Sequence, residues 1–419
     1  MRVLVYPHDM GMGGSQLNAI ELAAAVHSRG HEVTVVGRPG ALQSKISELG
    51  LTFIQLPRPG RRPSLPVARA IRGLVCERGI DIVHGYEWPP ALEALLGCSR
   101  TPATPVATVL SMAVAPFIPR HLPLIVGTEQ IAQAERERGR SFVRLMEPPV
   151  DVTSNSIESP LPINDMAHRW GIHRRGVTLA IVSRLAREMK LEGILSAVRL
   201  VGGWNGPEPL QLLIVGSGPA QDEVAAAARA ANAAAKEQRI ILTGEIADPR
   251  WAYALGDIIL GMGGSALRGM AMGKPVIVQG EKGFWKTLTP DSVDEFLWQG
   301  WYGVGPGEAC GVEALRSELT PLIEDVRLRQ GVGEFARTLV HDRFSLDQAA
   351  ARQIEYYNEA RTQRTLRGAQ NLSILQGAYG LIGHEVRRFG ERIQGTVVND
   401  DFNASPLAGQ SPHEKAGRR

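Results

Sequence analysis

Two successive α/β domains of the doubly wound, Rossmann-like kind are what this sequence predicts, and three observations carry the prediction. Apolar runs of strand length alternate with helix-length segments through two stretches of comparable size. Glycine-rich turns follow several of those runs, where a strand would hand over to a helix. A polar, proline-bearing stretch at 147–162 separates the two series and reads as a domain linker.

In chain order, residues 3–6 form a short apolar strand that ends in a glycine-rich turn. The helix after it carries Leu17, Ile20 and Ala24 at i, i+3 and i+7, and Arg29-Gly30 stops it as a basic last turn and a glycine should. Strands follow at 32–36, 80–83 and 105–110. The second series opens with a strand at 177–182 and continues at 212–215, which leads into Gly216-Ser217-Gly218-Pro219 and an alanine-rich helix. Further strands are expected at 240–243, 257–260 and 275–278. The domain reading is therefore 1–152, then 163–345, then a helix at 346–362 that packs back toward the first domain. Residues 363–419 are an extension, with a flexible, disordered tail from about 405 where the chain turns polar.

Bulk properties exclude several classes. At 419 residues the chain exceeds one ordinary core, and 44% hydrophobic with 21% charged residues is usual for a soluble protein. A net charge of +3 with no Lys/Arg-rich block argues against a nucleic-acid partner. Cys76, Cys98 and Cys310 lie far apart and form neither a metal spacing nor a disulfide framework, so a reducing cytoplasm is expected. The apolar region 105–127 is broken by Pro116, Pro119, Arg120 and Pro123, whereas a membrane helix needs about 20 unbroken apolar residues. No transmembrane segment is expected. Low aromatic content weakens a carbohydrate-binding module built on stacking platforms.

The candidate functional residues lie at strand ends. Gly11-Met12-Gly13-Gly14-Ser15-Gln16 opens a helix, where exposed N–H groups of Gly13 and Gly14 suit a phosphate or other anion. It departs from the GxGxxG fingerprint with a later acidic residue, which counts against a nicotinamide enzyme. Gly216, Ser217 and Gly218 form a second loop, and Gly263, Gly264 and Ser265, ahead of Arg268, a third. Such loops line the crevice of an open α/β sheet. Arg184, Arg187 and Lys190 follow one strand and would neutralise a departing diphosphate, with Arg187 read as a solvated helix start. His84 ends Asp81-Ile82-Val83-His84 where a catalytic residue would sit, and Tyr86 and Glu87 would reach into the same cleft, with Ser15 and Gln16 on the acceptor side. No Asp-x-Asp and no His/Asp/Glu grouping has metal-ligand spacing, so no metal is expected.

With these residues quoted, the chain resembles the retaining GT-B glycosyltransferases of family four, the group 1 transferases, over residues 1–360. Ala271-Met272-Gly273-Lys274-Pro275-Val276-Ile277 is the most telling run. Val182-Ser183-Arg184-Leu185 with Lys190, Leu213-Ile214-Val215-Gly216-Ser217-Gly218-Pro219, Ile241-Leu242-Thr243-Gly244, Gly13-Gly14-Ser15-Gln16 and Asp81-Ile82-Val83-His84 support it. The resemblance implies two Rossmann-like domains facing a central cleft, a diphosphate held by Arg184 and Lys190, and a nucleotide lying mainly on the second domain near Gly216, Ser217, Gly218, Gly244 and Gly264. It also implies a metal-independent reaction. Leu260 and Arg268 stand where the family carries two glutamates, and arginine cannot accept a hydrogen bond, so Arg268, with Ser265, is expected to meet the donor diphosphate instead. Glu281, in the glycine-rich loop Gln279-Gly280-Glu281-Lys282-Gly283, would supply the missing carboxylate as a second catalytic candidate beside His84.

The expected activity is transfer of a sugar from a GDP- or UDP-linked donor to a small-molecule acceptor in a specialised bacterial pathway such as antibiotic assembly. A thiol acceptor, as in lincosamide-type assembly, is one alternative, and a non-catalytic protein that binds a nucleotide sugar or activates a partner is another. A homodimer stays open.

Overall fold

In the computed structural model, residues 1–173, 175–363, 377 and 380–384 are described. The chain divides into one unit of Met1–Pro148 with the segment that begins at Leu346, and a second unit of Pro149–Ser345.

The first unit is built on β1 (Arg2–Tyr6), β2 (Glu32–Gly37), β3 (Thr52–Gln55), β4 (Ile82–Tyr86), β5 (Thr104–Val109), β6 (Leu124–Val126) and β7 (Val143–Leu145). They form a seven-stranded parallel sheet in the order β3-β2-β1-β4-β5-β6-β7. Strands covered on both faces read as unbroken apolar runs, and Val3, Leu4 and Val5 of β1 are accordingly all buried. Helix Gly14–Ser28 packs Ala19, Ile20 and Ala23 into the same core as Ala349, Ala350 and Tyr357 of helix Leu346–Thr362. Burying one such aromatic ring contributes about 1.5–3 kcal/mol.

The second unit repeats the plan with β8 (Val177–Val182), β9 (Leu210–Val215), β10 (Ile240–Gly244), β11 (Ile258–Gly261), β12 (Val276–Gln279) and β13 (Trp285–Thr287). The order is β10-β9-β8-β11-β12-β13, with only the last pair antiparallel. Strand order reverses between β1 and β4 and again between β8 and β11, the switch points at which open α/β sheets bind ligands.

Two details differ from the sequence reading. Strand β4 does not stop at residue 83 but runs through His84 to Tyr86. The polar stretch 149–162 is not a free linker: Val150 N donates to Phe344 O at 2.8 Å, and Asp151 Oδ1 caps the N–H groups of Thr153 and Ser154. The expected disordered tail from about 405 lies outside the described residues. Among the described residues no helix is long and apolar enough to cross a membrane.

Candidate functional site

In the second unit the loops after β8, β9 and β10 are stitched to one another. Ser183 N donates to Val215 O at 3.0 Å, Leu185 N to Ser217 O at 2.9 Å, and Gly216 N to Gly244 O at 2.8 Å. Glycine is required at 216: its φ is 137°, and a Cβ there would stand 2.0 Å from Ser183 O. The Ser217 hydroxyl donates to the Glu245 carboxylate at 2.8 Å.

The loop carries Arg184, exposed, and ends at Lys190, half-buried at the start of helix Leu191–Gly202. Burial first, and the neighbouring Arg184 guanidinium second, hold the Lys190 ammonium below the ordinary lysine range. Neither side chain meets an acceptor among the described residues. Arg187, by contrast, pairs with Glu223 at 3.0 Å in an exposed contact of the kind its solvated reading implies. Two cations thus stand together without a protein counter-charge at a switch point, an arrangement suited to an anion.

Across the switch point, Gly263 at φ 54° turns the chain into helix Gly264–Ala271, whose first turn has no side-chain cap. Ser265 was expected to hold diphosphate. Its hydroxyl instead donates to Val182 O at 2.7 Å and accepts from Tyr253 at 3.1 Å, so it fastens the end of β8. Arg268 is half-buried and turned back along its own helix toward Gly264 O at 3.4 Å.

After β12 lies Glu281. Its N–H donates to Gly303 O at 3.0 Å and its carbonyl accepts from Gly305 N at 2.8 Å. The carboxylate accepts from the Tyr302 hydroxyl. Glu192, in the first turn after Lys190, caps Lys282 N at 2.8 Å and Gly283 N at 2.5 Å. The segments around Gly280 and Gly303 approach so closely that a Cβ on Gly280 would stand 1.9 Å from Gly303 O.

The first unit gathers a second polar group at the ends of β1, β4 and β5. Gly13 caps helix Gly14–Ser28 without a side chain, leaving the first N–H groups of Gly14 and its neighbours uncapped. Gln16 reaches back to Asp9 Oδ1 and to His8 Nε2, both at 3.0 Å, and Asp9 Oδ2 lies 3.1 Å from the same ring nitrogen. Glu87 has φ 68° and ψ 170°, a conformation that costs a non-glycine residue about 1–3 kcal/mol. Its carboxylate accepts from Leu110 N at 3.0 Å, Ser111 Oγ at 2.7 Å and, more loosely, Ser15 Oγ at 3.4 Å. Burial pushes the Glu87 carboxyl up, while the His8 hydrogen bond and Gly11 N hold Asp9 well below the carboxylate range. Burial pulls His8 down, but contact with Asp9 outweighs it and the net shift is upward. His8, Asp9 and Ser111 were missed in the sequence. Pro7-His8-Asp9, two titratable residues between a strand end and a glycine loop, was the available signal.

His84, expected to be catalytic, is a correction. It is 0% exposed, with Nδ1 2.8 Å from the Tyr357 hydroxyl and Nε2 2.7 Å from Thr108 Oγ1. Burial pulls its pKa down to about 3, so the ring is neutral, fully engaged and closed off from solvent. Tyr86, on the same face of β4 and 2% exposed, stacks at 4.4 Å on His84 and is core rather than acceptor-side.

The sequence matches two family models in series. Residues 13–156 match the glycosyl transferase 4-like domain and residues 176–299 match the glycosyl transferases group 1. The chain belongs to the group 1 glycosyltransferases. As an enzyme of this family it also matches solved structures. A Rickettsia africae glycosyltransferase aligns with TM-score 0.69 and 16% identity over 87% of this chain and 99% of its own. Anabaena HepE in complex with UDP aligns with TM-score 0.64 and 14% identity over 86% and 100%. Sucrose-phosphate synthase from Thermosynechococcus elongatus gives 0.64 and 17% over 86% and 99%. At these identities the likeness shows the fold: this transferase has the two Rossmann-like sheets of the GT-B class. No curated protein matches the sequence.

Proposed function

We propose that this transferase takes its sugar from a nucleoside diphosphate donor whose diphosphate is held by Arg184 and Lys190. The observation that carries the reading is that pair of cations, adjacent, without a protein counter-charge, at the end of β8. As the bond between the anomeric carbon and the β-phosphate oxygen breaks, negative charge grows on the leaving diphosphate, and fixed cations stabilise it more than the ground state. We assign that neutralisation to the two side chains and uncapped helix N–H groups, without a metal ion. Anabaena HepE, which shares the fold, was solved in complex with UDP, and this supports a uridine or similar donor. The acceptor is a small molecule, placed at the Glu87, Ser111, Ser15 and Gln16 group of the first unit, and transfer proceeds with retention as the family resemblance implies.

The test is calorimetric titration with UDP, GDP and ADP of the wild type and Arg184→Ala. Micromolar binding of one diphosphate that weakens by about 1.5–3 kcal/mol in the variant supports the reading. Absence of binding to all three refutes it.

A further inference from the structure

The Glu281 carboxylate is aimed rather than merely exposed. One oxygen, Oε2, accepts from Tyr302, whose ring is buried at 5% exposure and whose carbonyl is itself held by Gln299 Nε2 at 2.9 Å. The other oxygen meets no donor among the described residues, and Glu281 is half-buried, open to a ligand. The main chain on either side is fixed: Gly303 O, Gly305 N and Phe284 N bond the Glu281 backbone, and Glu192 caps the two residues after it. Glu192 spends both oxygens in doing so, and is therefore scaffold.

The loop is also tied to the anion site. Gln279, two residues before Glu281, donates to Lys190 O at 2.9 Å, and Glu192 stands two residues after Lys190. Glu281 is thus held against the turn that presents the lysine.

We propose that Tyr302 is a positioning residue that presents Glu281 as a hydrogen-bond acceptor for sugar hydroxyls of the donor nucleotide. This rests on the donor reading above. A carboxylate beside a diphosphate repels the phosphates, so the group that meets its free oxygen is a neutral donor, and hydroxyls are what a nucleotide sugar offers. A vicinal diol would belong either to the ribose or to the transferred sugar.

The experiment is calorimetry on the full chain with UDP, 2′,3′-dideoxy-UDP and UDP-glucose, comparing wild type, Glu281→Gln, Tyr302→Phe and the double variant. If the ribose is the partner, each single variant binds UDP about tenfold more weakly. The same variants then bind the dideoxy compound as the wild type does. If the transferred sugar is the partner, UDP affinity is unchanged and UDP-glucose binding weakens. In both cases the double variant is no weaker than Glu281→Gln, because Tyr302 acts through Glu281. Unchanged dideoxy-UDP or UDP binding in the variants also reports that they are folded. Equal weakening toward all three ligands, no weakening at all, or additive losses in the double variant would overturn the proposal. A wild type that binds none of the three would instead sink the donor reading on which it stands.

Discussion

The side-chain amide of Gln279 donates to the main-chain carbonyl of Lys190 at 2.9 Å, joining the end of β12 to the first turn of helix Leu191–Gly202. The room for it is provided by Gly193, where a Cβ would stand 2.4 Å from the amide nitrogen. Gln279→Met keeps the volume but removes one of the carbonyl's two donors, leaving Ile194 N at 3.0 Å, at a cost of about 0.5–1.5 kcal/mol in urea denaturation. Loosened, the Lys190 turn binds nucleoside diphosphate more weakly. Wild-type affinity and stability in this variant would show that the contact is incidental.

Lys190 gives a pH signature. Its folded pKa is lowered, so the native state is penalised for holding the proton, and that penalty is relieved as pH rises from the lowered value toward the ordinary lysine value. A bound diphosphate favours the ammonium. Binding above the lowered pKa therefore takes up protons and weakens with rising pH. Calorimetry in buffers of different ionisation enthalpy measures this uptake, and Lys190→Arg should abolish it, since arginine stays charged.

Tyr357→Phe removes the hydroxyl that meets His84 Nδ1 while keeping the ring in its place in the core. A buried ring nitrogen is left without a partner, and stability should fall by about 1–3 kcal/mol. Affinity for nucleoside diphosphate should not move. A loss of binding with no loss of stability would restore a functional role to His84.

Glu87 predicts the opposite slope to Lys190. Its folded pKa is raised, so the stability it contributes is fully present below the ordinary carboxyl value and is lost as pH rises through the raised one. Glu87→Gln cannot titrate, and its stability should run flatter across that window in denaturation at stepped pH. If wild type and variant keep parallel profiles, the carboxyl is not perturbed.

Much of the fold was legible because fully buried strands leave apolar runs, and β8 was placed from residues 177–182 without error. Strands β3, β6, β7 and β13 were not, since runs of three or four residues carry too little period. His84 was misread because a polar residue after Asp81-Ile82-Val83 looks like a strand end. Its hydrogen-bond partner Tyr357 lies far along the chain, and no local pattern announces it. Tyr302 was invisible for the same reason, whereas Arg184 and Lys190 were singled out because a cation after an apolar strand is a local signal. The strain at Glu87 left no trace in composition: Trp88-Pro89-Pro90 marks a turn but not its φ.

The first unit recruits its last helix, Leu346–Thr362, from beyond the whole of the second. On the ribosome, residues 149–345 emerge and can close their own sheet while the earlier sheet still waits. During that interval Ile20 and Ala23 lack the cover of Ala349 and Ala350, and the His84 ring lacks its hydroxyl. The half of the protein synthesised first is therefore the half finished last, and a nascent chain released before residue 346 would carry one complete unit and one with an open apolar face.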